Sequence, residues 1–76
     1  MSTATTPIPV TVNGDERTVP DGYPLTEVLR DLDVDPDAAS GVAVAVNESV
    51  VPRQDWEDVT LSEEDTVEVI QAQQGG

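Results

Sequence analysis

One stretch of this 76-residue chain has the periodicity of an amphipathic α-helix. This helix limits the folds that the remaining residues can adopt. Large apolar side chains recur at the i, i+3, i+4 and i+7 positions of one helical face: Leu25, Val28, Leu29 and Leu32. We predict that the helix ends near Asp33, because Pro36 disfavours helical backbone at Asp35. A single helix can cover one face of a sheet, so the remaining segments must supply that sheet.

The other apolar runs have the lengths and patterns of β-strands. They occupy residues 8–12, 16–19, 41–46 and 66–71, with a brief return at Val50-Val51. Asn13-Gly14 lies between the first two runs and is typical of a two-residue hairpin turn. We therefore predict an α+β fold with a four- to five-stranded mixed sheet over one main helix. In such a sheet the first and last strands can lie side by side in the centre.

The segments between and beyond these elements suggest a simple domain organisation. We expect a flexible N-terminal extension at residues 1–7, a folded domain at 8–71 and a flexible C-terminal tail at 72–76. Residues 53–58 are polar apart from Trp56, which predicts a short helical turn with the indole packed at the edge of the sheet.

Composition excludes several kinds of site. The chain has no Cys and no His, which removes disulfides, thiolate nucleophiles, imidazole bases and the usual transition-metal ligands. We therefore expect no metal and no bound cofactor. No apolar run approaches the roughly 20 residues that span a bilayer, and the N-terminus lacks the features of a signal peptide. These patterns predict a soluble, cytoplasmic protein without a membrane partner.

The net charge of −13 comes from 16 acidic residues against three arginines and no lysine. A nucleic-acid mimic or an acidic disordered tail would show clustered charge. Here the acids are interspersed with apolar positions along the chain, which favours a solvated surface adapted to a halophilic cytoplasm and no nucleic-acid partner. In molar salt the screening length falls to about 3 Å, so such a surface is tolerated.

The chain ends in Gln71-Ala72-Gln73-Gln74-Gly75-Gly76, directly after a strand. A frayed terminus is one interpretation, because small polar residues are tolerated at chain ends. The alternative is that the terminal carboxyl group is functional. Neither Gly75 nor Gly76 has a Cβ, so an extended tail could pass through a narrow channel and leave its carbonyl open to attack.

Several motifs together resemble the ThiS-like sulfur carriers of the ubiquitin-like β-grasp superfamily, which are close to MoaD and the archaeal small modifier proteins. The matching segments are VAVAVN at 42–47, VVPR at 50–53, Trp56, Leu61, Asp65 and QGG at 74–76. The resemblance covers most of residues 8–76 and implies a β-grasp fold. Family members often have glycine where this chain has Glu48 and Glu64. Those turns therefore have another geometry or carry modest strain.

The resemblance implies a protein co-substrate and not an enzyme. An E1-like activating enzyme would use ATP to adenylate Gly76. A sulfur donor would then convert the adenylate to a thiocarboxylate for thiamine thiazole, molybdopterin or tRNA thiolation, through a sulfur-accepting synthase. Alternatively, the carboxyl would be conjugated to target-protein lysines. Gly75 and Gln74 would thread the channel of the activating enzyme.

Three residues are candidates for a partner surface: Val51, Arg53 and Ile70. Simple burial is the alternative for Val51 and Ile70, and an ion pair with a nearby acid is the alternative for Arg53. We expect a monomer. A competing hypothesis for the whole chain is an acidic β-grasp interaction module without tail chemistry.

The charge predicts that folding depends on salt. The compact state concentrates the repulsion among the acidic side chains, and the expanded chain relieves it. The midpoint of thermal unfolding should rise from low salt to molar potassium chloride. A midpoint that does not change over this range would contradict the halophilic interpretation.

Overall fold

One helix packs against one face of a five-stranded mixed sheet. The computed structural model describes residues 6–37 and 41–71. The elements are β1 (Pro7–Val12), β2 (Asp15–Pro20), α1 (Leu25–Asp31), β3 (Val42–Val46), β4 (Ser49–Val51), a 3₁₀ helix (Arg53–Asp58) and β5 (Thr66–Gln71). This architecture confirms the predicted α+β class and the β-grasp fold.

The strands lie in the order β2-β1-β5-β3-β4, so the last strand of the chain is the central one. Strands β1 and β5 pair in parallel, and the other neighbours are antiparallel. The prediction that the first and last strands are adjacent is therefore confirmed. Strand β1 begins at Pro7, which we had assigned to the N-terminal extension. Residues 1–5 and 72–76 lie outside the described residues.

The core forms between α1 and the facing side of the sheet. Leu25, Leu29 and Val67 are completely buried, and Val28 is buried beside them. Leu32, the fourth residue of the predicted helical face, is only partly buried. The period of the apolar residues therefore identified the packed face of the helix correctly.

The helix ends earlier than predicted, and for a different reason. Asp33 adopts a positive φ of 64°. Its N–H donates to the Arg30 carbonyl at 3.0 Å, and the Val34 N–H donates to the Leu29 carbonyl at 2.8 Å. This pair of bonds is the Schellman arrangement, which satisfies the last helical carbonyls. A left-handed residue after the helix, and not the proline three positions later, ends the regular helix.

Trp56 lies where the sequence placed it. Its side chain projects from the 3₁₀ helix into the core, where it is buried. Its Nε1–H donates to the Val51 carbonyl at 3.0 Å. A buried indole that satisfies its one donor stabilises packing without leaving an unpaired polar group. The bond attaches the 3₁₀ helix to the edge strand β4.

The turns at Glu48 and Glu64 keep the left-handed backbone that glycine would favour. Their φ angles are 71° and 66°. A residue with a Cβ is strained in this conformation, by roughly 1–2 kcal/mol relative to right-handed backbone. Of the two outcomes that the sequence left open for these turns, the structure shows the strained one.

We predict that Glu48→Gly stabilises the protein by about 0.5 to 1 kcal/mol, since relief of strain outweighs the extra entropy of glycine in the unfolded chain. Urea unfolding at fixed salt measures the change. Glu48→Gln is the matched control, because it removes the same charge and keeps the Cβ. If the two variants gain equal stability, charge and not backbone strain is the cause.

Candidate functional site

The tail predicted to carry the chemistry follows the end of the central strand. Strand β5 ends at Gln71, which pairs with Val42 of β3. Five residues, 72–76, complete the chain. The predicted reacting residue Gly76 and the threading residues Gly75 and Gln74 fall outside the described residues. The structure describes the strand that precedes this tail, which ends at Gln71.

A cluster of hydrogen bonds holds the start of β5. Asn47, in the β3–β4 turn, accepts the Thr66 N–H through Oδ1 at 3.0 Å and donates from Nδ2 to Asp65 Oδ1 at 2.9 Å. The other carboxylate oxygen of Asp65 accepts the Ser62 N–H at 2.7 Å. These bonds join the β3–β4 turn to β5 and restrain the backbone at the start of that strand.

Another asparagine holds β5 near its end. The Asn13 N–H donates to the Val67 carbonyl at 2.9 Å, and Asn13 Oδ1 accepts the Val69 N–H at 2.8 Å. The sequence analysis recognised Asn13 only as a turn residue. A bond between residues 56 positions apart has no local sequence signal, so only the folded sheet reveals it.

The face of the sheet opposite α1, called here the outer face, carries two exposed apolar side chains. Val50 is 76% exposed and Ile70 is 62% exposed. The pairs Ala43–Ile70 and Ala45–Val50 place two small residues between them. We call Ala43, Ala45, Val50 and Ile70 the outer patch. Exposed apolar groups of this kind are common at protein-binding surfaces.

Val51 does not belong to this patch. It pairs with the buried Val44 and is itself partly buried against the core, on the opposite side of the sheet from Ile70. The structure therefore does not bring the predicted surface residues together. The exposed residue of β4 is Val50, which the sequence analysis did not select. A shift of one residue along a strand moves a side chain to the other face.

Arg53 donates hydrogen bonds to main-chain carbonyls, and within residues 6–37 and 41–71 it does not form an ion pair, the alternative that the sequence left open. Its Nη2 donates to the Asp37 carbonyl at 2.7 Å and to the Pro36 carbonyl at 3.4 Å. These bonds connect the 3₁₀ helix to the segment that follows α1. Within residues 6–37 and 41–71, the ion pair that does form joins Arg30 to Glu27 at 2.9 Å, on the exposed side of the helix.

A tyrosine with a raised pKa lies away from the end of β5. The Tyr23 hydroxyl donates to Asp31 Oδ2 at 2.7 Å. This hydrogen bond, with partial burial and the negative charges of Asp31 and Glu27, raises the pKa of Tyr23 to about 12. The phenol therefore remains a protonated donor at neutral pH. The bond links the entry of α1 to its last turn, which is a structural role.

The part of the chain that the structure describes contains no group of three or more acidic, His or Cys side chains arranged to hold a metal ion. Within the same residues, no helix has the length and apolar character needed to cross a membrane. No buried polar or charged residue is found among them either.

Comparison with known proteins agrees with this fold and with the tail. The model of the ThiS family matches residues 10–76. A crystal structure of the thiamine biosynthesis protein ThiS from Geobacter metallireducens has 32% identity and a TM-score of 0.71, over 91% of this chain and all of that one. A solution structure of a thiamine biosynthesis protein from the same organism also has 32% identity and a TM-score of 0.71, over 91% of this chain and 88% of that one. No curated protein matches significantly. The chain belongs to the ThiS family of β-grasp sulfur carriers.

Proposed function

We propose that this chain carries sulfur for thiamine thiazole synthesis in the cytoplasm, as a thiocarboxylate on Gly76. The observation that carries the proposal is the family match, which extends through the Gly75-Gly76 end. The two Geobacter metallireducens structures are named for thiamine biosynthesis, which favours this pathway over molybdopterin or tRNA thiolation. The central position of β5 supports it, because the tail starts from the most constrained strand of the sheet.

The chemistry needs activation because a carboxylate is a poor electrophile. An E1-like partner would transfer AMP from ATP to the Gly76 carboxylate and release pyrophosphate. A persulfide sulfur from a donor would attack the acyl carbon and displace AMP. A thiol would then reduce the resulting acyl disulfide and leave the thiocarboxylate.

The chain itself supplies the electrophile and the binding surface. It has no Cys and no His, so it offers neither a thiolate to hold sulfur nor an imidazole base. The activating partner and the sulfur donor provide these groups, and the partner uses the ATP. In this proposal the chain is a monomeric protein co-substrate and binds no cofactor.

The outer patch would dock the activating enzyme. Ile70 lies one residue before the end of β5, so a partner that receives the tail must contact the surface beside it. The apolar groups of Ile70 and Val50 lose exposed surface in such a contact, which stabilises the complex. Glu68 pairs with Ala45 at the border of the patch and is available to a cationic group of the enzyme.

We predict that incubation with the activating enzyme, ATP and a sulfur donor exchanges one oxygen of the C-terminus for sulfur. Intact-mass measurement detects the product. Removal of Gly76 should abolish the exchange, because the acyl group moves to a residue that the enzyme does not align. The stability of this variant should match that of the wild type.

If wild-type protein forms neither adenylate nor thiocarboxylate under these conditions, the sulfur-carrier proposal is wrong. Amide conjugates of Gly76 with lysines in host cells, in the absence of a thiocarboxylate, would instead identify a protein modifier. If neither product forms, the acidic interaction module is favoured.

We also predict that Ile70→Ser and Val50→Ser each raise the KM for activation about fivefold, which corresponds to about 1 kcal/mol of lost contact. The kcat should change little, since neither side chain reaches the reacting carboxyl. Ile70→Val is the matched control and should retain most of the affinity. An unchanged KM in both serine variants would show that the enzyme docks elsewhere.

A further inference from the structure

We propose that Asn13 is a positioning residue for the C-terminal tail. Its side-chain oxygen is the last described group that holds β5 on the β1 side, and it thereby sets the direction in which the chain leaves the sheet. The inference rests on the proposed function, in which a partner must receive Gly76. The direction of the strand end matters for that step.

Strand β5 extends beyond the end of its parallel neighbour β1. The pairing of β1 with β5 stops at Val12–Val67, because the chain turns at Asn13-Gly14. Strand β5 continues for four more residues, to Gln71. Alternate residues of β5 direct their main-chain groups toward β1, so Val69 and Gln71 extend past the end of their partner strand.

Asn13 bridges this gap with its side chain. Its N–H donates to the Val67 carbonyl at 2.9 Å, which completes the last main-chain position of the ladder. Its Oδ1 then accepts the Val69 N–H at 2.8 Å, the donor that the main-chain carbonyl of residue 13 would accept if the parallel ladder continued. The φ of 51° at Asn13 is a conformation that asparagine tolerates better than most residues.

The bond from Val69 to Asn13 is the last contact on the β1 side of β5 among the described residues. Within residues 6–37 and 41–71, the pairing of β1 with β5 ends at Val67, and the bond from Val69 to Asn13 lies beyond it. On the other side, β3 still pairs with Ile70 and Gln71. Without Asn13, the end of β5 would be held from one side only and could swing away from β1.

The direction of the strand end determines how often the tail points toward a docked enzyme. If only a fraction of the molecules present the tail correctly, the apparent dissociation constant rises by the inverse of that fraction. The chemistry on a correctly bound tail is unaffected. Loss of the Asn13 side chain should therefore raise KM and leave kcat unchanged.

The chain offers a matched control in Asn47. Both asparagines lie in left-handed turns, with φ angles of 51° and 52°, and both accept an N–H of β5 through Oδ1. Asn47 holds Thr66 at the start of the strand, whereas Asn13 holds Val69 near its end. Glycine at either position keeps the turn and removes the acceptor. Asn13→Asp keeps an oxygen acceptor and serves as the rescue variant.

The test compares the three variants with the wild type in ATP–pyrophosphate exchange catalysed by the activating enzyme. Asn13→Gly should raise KM about three- to tenfold with kcat unchanged, as expected for loss of one positioning hydrogen bond. Asn13→Asp should stay near the wild-type value. Asn47→Gly should lose at least as much stability in urea, because it removes two hydrogen bonds, and should leave KM unchanged. An unchanged KM in Asn13→Gly, or an equal rise in Asn47→Gly, overturns the inference.

An enzyme-free measurement separates this inference from the proposed function. Residual dipolar couplings of the amides at residues 69–71 report the mean direction of the strand end. Asn13→Gly should change these couplings, because β5 is then held by β3 alone, and Asn47→Gly should not. If the wild type is not activated, the proposed function fails while these couplings still test the role of Asn13. Couplings unchanged in Asn13→Gly overturn that role whatever the enzyme assay shows.

Discussion

The parallel pairing of β1 with β5 is the contact on which the rest of the structure depends. It joins Thr11 to Thr66 and Val12 to Val67, residues 55 positions apart in the sequence. Closing so long a loop costs conformational entropy, which burial of the apolar faces of both strands must offset. Val12 and Val67 are both almost fully buried, beneath α1. Strand β2 adds to the free edge of β1 and β3 to the free edge of β5, and β4 then adds to β3.

Polar side chains complete what this pairing leaves unfinished. Asn47 holds the start of β5 and Asn13 holds its second half at Val69, each from a left-handed turn. A side-chain oxygen that accepts in place of a main-chain carbonyl satisfies a backbone donor of β5 without lengthening the hairpin. The strand nearest the predicted reactive end is thus restrained by hydrogen bonds from both neighbouring turns.

The acidic turns show a different balance. Glu48 and Glu64 adopt backbone that suits glycine, and both side chains are exposed. Each therefore adds surface charge at the cost of local strain. Both glutamates contribute to the net charge of −13. The outer patch provides apolar contact area on the same surface.

Much of the fold could be predicted because it depends on patterns within a few residues. The apolar period of 3.6 identified α1, alternation and turn dipeptides identified the strands, and the tryptophan predicted the packed 3₁₀ helix. The helix end was less accurate, because the left-handed conformation of Asp33 depends on hydrogen bonds and packing that residue type alone does not encode. The candidate reactive residue Gly76 came from the family resemblance, and the structure adds the strand from which its tail starts.

The sequence by itself determined the elements, their order, the absence of catalytic thiol and imidazole groups, and the Gly-Gly end. Tertiary structure decided which side chains share a surface. Val50 faces outward and Val51 inward because strand register, and not hydrophobicity, assigns the two faces. Arg53 binds the carbonyls of Pro36 and Asp37 because folding brings that segment beside the 3₁₀ helix. Asn13 reaches Val69 because β1 ends before β5 does, a difference in length that exists only once the two strands are paired.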